Sequence, residues 1–148
     1  MDILKGRACD QFFNGLQLLD FDQGGVPDFN KTNEILKATT GWSVVAVPML
    51  IPDHVFFYHL ANKRFPAGNF IRKSDQCDYI EEPDDFHDAF GHVPLLADQA
   101  FAHYMEPYGK AGWQDVQDNH LKASSALHWY TLDFGMMNSE AVIRIPGQ

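Results

Sequence analysis

Cysteine, basic charge and long apolar runs are all scarce in this sequence of 148 residues. The only cysteines, Cys9 and Cys77, are far apart in the chain, which is typical of reduced thiols rather than of a disulfide framework. The 11 basic residues are outnumbered by 20 acidic ones, and the resulting net charge of −9 disfavours nucleic acids and anionic membranes as partners. No apolar run approaches the roughly 20 residues of a membrane span. We therefore expect a cytoplasmic protein with no nucleic-acid or membrane partner.

Apolar and aromatic residues, in contrast, are plentiful. They make up 45% and 14% of the chain, enough to build a core and to exclude a disordered protein. The length fits one domain, and no repeat or linker divides it. An acidic, globular chain of this kind is compatible with a small-molecule substrate.

Periodicity and helix signals predict a mainly α fold with a few short strands. The apolar stripe Ala8, Phe12, Leu16 and Leu19 indicates a first helix. Further helices are predicted over about residues 31–40, from residue 53, and over 84–90, 97–108 and 114–134. Short strands are predicted over residues 42–48, 69–73 and 141–145.

Several single residues are expected to bound or orient these helices. Gly41 is predicted to end the second helix, Asp53 to cap the third, and Gly109 to end the helix over 97–108. In the third helix, Phe56 and Leu60 lie four positions apart and should share the apolar face.

The stretch EEPDDFHDAFGHVP, Glu81–Pro94, sets two histidines among five carboxylates. His87 and His92 are five positions apart, and on an ideal α-helix they would point about 140° away from each other. Gly91 offers a solution, since a helix that ends there would leave His92 able to turn back toward His87. The spacing is therefore compatible with chelation of a metal ion.

Two interpretations of this stretch remain open on spacing alone. It is either a surface helix that happens to carry histidines, or a metal site that needs a third ligand. Two imidazoles and one carboxylate with open positions suit non-haem Fe(II) and dioxygen. Carboxylates are so numerous here that composition does not select the third ligand.

Four longer stretches carry a resemblance to a known family. They read VPDFNKTNEILKATTGW, VAVPMLIPDHVFFYHLANKRFP, YIEEPDDFHDAFGHVPLLADQAFAHYMEPYGKAG and LHWYTLDFG. From about Gly6 to its end, the chain resembles the bacterial phenylalanine 4-hydroxylases, which are pterin-dependent aromatic amino acid hydroxylases. The motif E-P-D-x-x-H-[DE]-x-x-G-H-x-P is highly specific, and the second motif follows at the family's distance.

The resemblance implies the metal ligands, which are also the catalytic residues. The family's two histidine ligands fall on His87 and His92, and its third ligand falls on Asp133 in the segment WYTLDF. Asp133 is a departure, because the family has glutamate at this position. The aspartate side chain is shorter by about 1.5 Å, so we expect weaker iron binding than a glutamate would give.

The resemblance also implies two sets of binding residues. Arg72 matches the clamp for the substrate carboxylate, which a guanidinium binds with two parallel hydrogen bonds. Without the resemblance, Arg72 would be a surface residue, and Trp129 and Phe56 would be core residues. The implied substrate pocket comprises Arg72, Ile80, Pro83, Asp84, Trp129 and Phe134. The implied pterin site comprises Met49, Leu50, Ile51, Phe56 and Asp88, with Met49 replacing the glycine usual there.

The function that follows from the resemblance is hydroxylation of L-phenylalanine to L-tyrosine with O2, Fe(II) and tetrahydrobiopterin or a related tetrahydropterin. Two alternatives stay open: a catalytically impaired, metal-binding remnant of the fold, and a hydroxylase of another aromatic amino acid such as tryptophan. We expect residues 1–148 to form one catalytic-core domain that lacks the N- and C-terminal parts of the usual family domain. A monomer is the simplest expectation.

Overall fold

The structure is a computed structural model that describes residues 7–23, 25–48, 51–71, 86–118, 137–139 and 142–144. Its four α-helices in this part of the chain are α1 (Asp10–Leu18), α2 (Phe29–Thr39), α3 (Asp53–Ala61) and α4 (Gln99–Gln117). Its strands are β1 (Ser43–Val47), β2 (Arg64–Gly68), β3 (Met137–Ser139) and β4 (Val142–Arg144). A π-helix (His87–His92) and two 3-10 helices (Phe21–Gln23 and Val93–Ala97) complete the described elements. The prediction of a mainly α fold with a few short strands is confirmed.

The first two helices follow their sequence signals closely. The predicted stripe of α1 is confirmed, since Ala8, Phe12, Leu16 and Leu19 are all buried. Helix α2 begins two residues earlier than predicted because Asp28 caps it, accepting a hydrogen bond of 2.9 Å from the Asn30 N–H.

Helix α2 ends as predicted at Gly41. This glycine has a φ of +80°, and its N–H donates to the Leu36 carbonyl at 3.0 Å. A side chain is strained at such a φ, so glycine suits the position. The next residue, Trp42, is fully buried, and its indole N–H donates to the Ala102 carbonyl at 3.2 Å. The end of α2 is thereby connected to α4 through the core.

Strands β1 and β2 form a parallel pair. The predicted strand over 42–48 is confirmed as β1, but the prediction of a strand over 69–73 is wrong for its described residues, since β2 ends at Gly68. The prediction looked for alternating apolar and polar residues, but four consecutive residues of β2, Phe65–Gly68, are buried. Parallel strands that are covered on both faces lack the period-2 pattern.

The side-chain amide of Asn33 pairs with the backbone of β1 in the way that a neighbouring strand would. Its amide Nδ2 donates to the Val44 carbonyl at 2.9 Å, and its Oδ1 accepts the Val44 N–H at 2.5 Å. Both backbone groups of a buried residue are thus paired, which avoids the cost of leaving them unsatisfied. Helix α2 and the two-stranded sheet are therefore fixed to each other by hydrogen bonds as well as by packing.

Helix α3 differs from its prediction in two details. Pro52 occupies the N-cap position and Asp53 is the first helical residue, so the prediction that Asp53 caps the helix is wrong by one position. Phe57 and Leu60 are the fully buried residues of α3, whereas Phe56 is partly buried and packs against the core.

Helix α4 continues where the sequence predicted a break. It runs through Pro107, Gly109 and Gly112 to Gln117, so the predicted stop at Gly109 and the predicted new helix from Gln114 are both wrong. These glycines allow α3 to approach closely: a Cβ on Gly109 would lie 2.5 Å from the Leu60 carbonyl carbon, and one on Gly112 would lie 2.1 Å from the Phe57 ring. The remainder of the predicted helix, residues 119–134, lies outside the described part of the chain.

The last described strands pair as a short antiparallel ladder. Met137 lies opposite Arg144, and Ser139 lies opposite Val142. The predicted strand over 141–145 is thus confirmed as β4. Among the helices that the structure describes, none combines the length and the apolar character needed to cross a bilayer.

One carboxylate connects α4 to the turn between α3 and β2. Glu106 accepts from Lys110 at 2.7 Å on its own helix and from Lys63 at 2.9 Å across the turn. Hydrogen bonds from Lys110 and Lys63 lower the pKa of Glu106 to about 2. A carboxyl group whose pKa falls on folding stabilises the fold above its ordinary pKa, and that stabilisation disappears as the pH falls toward the folded value.

We expect Glu106→Gln to weaken the dependence of Tm on pH in the acid range. Between about pH 4.5 and pH 2, the Tm of the parent chain should fall more steeply than that of Glu106→Gln, because the parent must protonate this carboxylate. Thermal unfolding followed by circular dichroism across that range measures the difference. Glu34→Gln, which changes an exposed carboxylate of α2, is the matched control and should keep the parent's slope. Equal slopes for the parent and Glu106→Gln would contradict this account.

Candidate metal centre

The π-helix brings the two histidines of the EEPDDFHDAFGHVP stretch together. His87 is its first residue, His92 is its last, and their Nε2 atoms lie 3.2 Å apart. A π-helix forms i→i+5 backbone hydrogen bonds, so residues five apart lie on the same side of it. The two rings meet edge to face, with centroids 5.0 Å apart.

This geometry arises differently from the prediction. A helix over residues 84–90 that ends at Gly91 is wrong, because Gly91 lies buried within the π-helix. The chain then continues directly into the 3-10 helix Val93–Ala97, with Pro94 in its first turn. The convergence of the two rings is therefore produced by a wider helical turn and not by a reversal after a helix end.

Asp88 is the third member of the group. A ligand atom from each of His87, Asp88 and His92 lies within 4.8 Å of the other two. The Asp88 Oδ2 accepts the Gly68 N–H at 2.7 Å, and the residue is only 8% exposed. Burial of a carboxylate is costly unless it is hydrogen-bonded, and the amide at the end of β2 meets that requirement.

The donor set fits a divalent metal ion. Bonds from imidazole to a metal are about 2.0–2.1 Å long, so two nitrogens on one ion lie no more than about 4.2 Å apart. The separation of 3.2 Å between the Nε2 atoms meets that limit. Two imidazoles and a carboxylate are hard or intermediate donors that suit Fe(II). His92 is 7% exposed, so this part of the group is shielded from water.

One aromatic ring packs on the histidine pair, and a separate group of rings packs on the other side chains of the π-helix. The ring of Phe65, in β2, lies 5.6 Å from the ring of His92, and the two planes are tilted by 38°. Phe90, within the π-helix, contacts the rings of Phe86 and Phe21 at 4.9 Å and 5.4 Å. Sequence reasoning missed both Phe65 and the Gly68 amide. Neither has a motif of its own in the sequence, and the segment that holds both, β2, was not predicted as a strand.

The structure describes five of the predicted site residues. His87, Asp88 and His92 form the group above, while Phe56 lies on α3 and Ile51 precedes that helix, both partly buried. The ring of Phe56 lies 5.5 Å from that of Phe57, edge to face. The roles of all five stay predictions. Nine other predicted residues lie outside the described part of the chain: Met49, Leu50, Arg72, Ile80, Pro83, Asp84, Trp129, Asp133 and Phe134.

Comparison with known proteins identifies the family. A family model described as "Biopterin-dependent aromatic amino acid hydroxylase" matches residues 1–147. The chain belongs to the biopterin-dependent aromatic amino acid hydroxylases. Within this family it is 56% identical to the phenylalanine-4-hydroxylase of Caulobacter vibrioides over 146 residues, covering 99% of this chain and 50% of that relative. It is 54% identical over 145 residues to the enzyme of Chromobacterium violaceum, covering 98% of this chain and 49% of that relative.

Solved hydroxylase structures share the fold. A crystal structure of Chromobacterium violaceum phenylalanine hydroxylase with iron(III) and 7,8-dihydrobiopterin matches with a TM-score of 0.92 and 54% identity, over 99% of this chain and 52% of that one. A structure of the same hydroxylase with iron and phenylalanine matches with a TM-score of 0.90 and 52% identity, again over 99% and 52% of the two chains. The chain thus spans about half the length of the curated hydroxylases it matches.

Removal of either imidazole should abolish tight metal binding. We expect His87→Ala and His92→Ala each to weaken Co(II) binding by more than about 100-fold, since loss of a ligand exceeds the 10–100-fold typical of residues behind the ligands. Anaerobic titration followed by visible absorption measures the affinity. His103→Ala, an exposed position on α4, is the control and should bind as the parent does. Parent-like binding by His92→Ala would rule out this pair as the metal site.

Proposed function

We propose that this chain carries the iron site of a pterin-dependent monooxygenase that hydroxylates L-phenylalanine to L-tyrosine with O2. The observation that carries the proposal is the imidazole pair with Nε2 atoms 3.2 Å apart beside a buried carboxylate. Support comes from the family membership and from relatives that are named phenylalanine-4-hydroxylase.

Iron would be held by His87 and His92 together with the carboxylate of Asp133. Asp88, whose Oδ2 accepts a backbone N–H of β2, would lie beside these ligands on the pterin side and would not be one of them. Fe(II), when bound, supplies a centre at which O2 and a tetrahydropterin react, so that one oxygen atom enters the aromatic ring and the other leaves on the pterin. The protein's part is to orient the reactants and to keep water away. The burial of His92 and Asp88 and the apolar ring of Phe65 against His92 support that second task.

The two organic molecules would bind through different residues. Arg72 would pair with the carboxylate of phenylalanine, because a guanidinium fork matches a carboxylate with two hydrogen bonds. The substrate's ring would pack among Ile80, Pro83, Trp129 and Phe134, with Asp84 orienting Arg72. Phe56 would stack on the pterin ring, beside Asp88 and the backbone of Met49, Leu50 and Ile51. Phe56 is only partly buried on α3, which supports such a role.

The remaining properties are proposed from composition and from family. We propose that residues 1–148 form a single catalytic-core unit, that the protein is a cytoplasmic monomer, and that it acts in phenylalanine catabolism. Its small-molecule partners would be L-phenylalanine, O2 and the tetrahydropterin. The net charge of −9 supports the absence of nucleic acid and anionic membrane among its partners.

Reconstitution tests the proposed activity. We expect the chain loaded anaerobically with Fe(II), then mixed with tetrahydropterin, O2 and phenylalanine, to form tyrosine, measured by chromatography together with the pterin consumed. His92→Ala is the matched control and should form none. Iron binding without any product would favour a metal-binding remnant, and faster hydroxylation of tryptophan than of phenylalanine would favour a different substrate. Either result would contradict the proposal.

Asp133→Glu should strengthen iron binding. Glutamate adds one methylene, about 1.5 Å of reach, and metal–ligand distances tolerate only about 0.2 Å. We expect a lower dissociation constant for Fe(II), by about tenfold, measured anaerobically against a competing chelator. Asp118→Glu lengthens an exposed carboxylate after α4 and serves as the control. An unchanged affinity in Asp133→Glu would show that the length of the side chain at this position does not limit iron binding.

A further inference from the structure

Strand β2 contacts both of the deeply buried members of the candidate metal group. Near its start, the ring of Phe65 packs on the ring of His92 with centroids 5.6 Å apart. At its end, the Gly68 N–H donates to Asp88 Oδ2 at 2.7 Å. The Gly68 N–H faces away from β1, because backbone groups alternate sides along a strand; on the β1 side the Val47 carbonyl accepts from the next residue, Asn69, at 3.0 Å. One five-residue strand thus meets the π-helix at two points.

Phe65 is itself held in a fixed position. It is 4% exposed and lies opposite Val44 in the parallel ladder. Val44 in turn is held on its other side by both hydrogen bonds of the Asn33 amide. The Phe65 ring is therefore fixed by hydrogen bonds among α2, β1 and β2, and none of the bonds that hold it through Val44 involves either histidine of the pair. The Phe65 ring can thus act as a fixed surface on which the His92 ring packs.

The orientation of His92 determines the geometry of the pair. Terminal torsions between sp³ and sp² atoms, such as the second side-chain torsion of histidine, have broad energy wells. Rotation of the His92 ring would move its Nε2 away from that of His87, and the separation of 3.2 Å would be lost. The flat Phe65 ring, packed on the His92 ring at a tilt of 38°, limits that rotation.

We propose that Phe65 is a positioning residue, whose ring holds the His92 imidazole in the orientation that brings its Nε2 to that of His87. The consequence for metal affinity rests on the proposed function, whereas the consequence for ring orientation does not. Phe65 acts through His92 and contacts no metal itself. The ordinary alternative is that Phe65 only fills the core.

A matched pair of substitutions separates these two roles. Phe65→Leu and Phe57→Leu remove the same atoms from two buried rings, at 4% and 1% exposure. Phe57 packs on Tyr108, with ring centroids 5.7 Å apart, and on Gly112 of α4. Both variants should lose stability as large-to-small core substitutions do. Only the Phe65 variant should change the histidine pair.

The first measurement uses the 148-residue chain without metal. We expect proton cross-relaxation between the His87 and His92 rings, assigned by NMR, to be strong in the parent and in Phe57→Leu, because the ring centroids lie 5.0 Å apart. It should fall at least twofold in Phe65→Leu. Parent-like cross-relaxation in Phe65→Leu would overturn the proposal. An equal loss in Phe57→Leu would also overturn it, since general loosening of the core would then explain the effect.

The second measurement is Co(II) affinity, determined by competition with a chelator at a temperature where circular dichroism shows each variant folded. We expect the dissociation constant of Phe65→Leu to rise about tenfold, comparable to loss of a residue that supports a ligand, and that of Phe57→Leu to stay within about threefold. If Phe65→Leu does not fold, Phe65→Met fills more of the ring's volume, and the same outcomes apply. A parent that fails to bind Co(II) but keeps the cross-relaxation pattern would reject the proposed function and support the positioning role.

Discussion

The i→i+5 hydrogen bonding of residues 87–92 is the constraint on which the candidate centre depends. Ordinary α-helical bonding would place His87 and His92 about 140° apart around the helix axis, and their nitrogens would not meet. The wider π turn brings them to 3.2 Å. Such turns are rare and occur frequently at functional sites. Their local cost has to be offset by tertiary contacts, and here most of the turn is buried.

Two neighbouring elements hold this region, one at the turn itself and one at the segment that follows it. Helix α1 approaches the 3-10 helix that follows His92 so closely that a Cβ on Gly15 would lie 1.9 Å from the Pro94 carbonyl oxygen. Strand β2 meets the π-helix through Phe65 and through the amide of Gly68. Strand β2 therefore contacts the side chains of the unusual turn, and helix α1 fixes the backbone that follows it. Its geometry is a property of the whole core and not of its own sequence.

The elements that were predictable from sequence are those whose signals are local. The apolar stripe of α1 and the left-handed Gly41 after α2 both act within a few residues of the element they define. Strand β2 was missed because a strand covered on both faces loses its alternation. Helix α4 was divided wrongly because a glycine required for close packing looks the same in the sequence as a glycine that ends a helix.

The candidate site shows the same division. The histidines and the acidic residues were found from their motif, and Asp88 was expected near the pterin rather than within the same group as the imidazoles. The π turn itself was not foreseen, since periodicity distinguishes helices from strands and does not reveal a single wide turn. A backbone donor such as Gly68 has no side-chain signature, and only the assembled sheet shows where its N–H points.

The close approach of α3 and α4 has a consequence for how this protein can change over generations. At Gly109 and Gly112 the backbone of one helix meets the other helix with no room for a single carbon atom between them. Every amino-acid replacement at these two positions introduces that carbon atom, so every substitution there must displace atoms of the facing helix. The distance between α3, which carries Phe56, and α4 therefore cannot change by small single substitutions at these positions. It could change only if residues on the facing sides of both helices were replaced together.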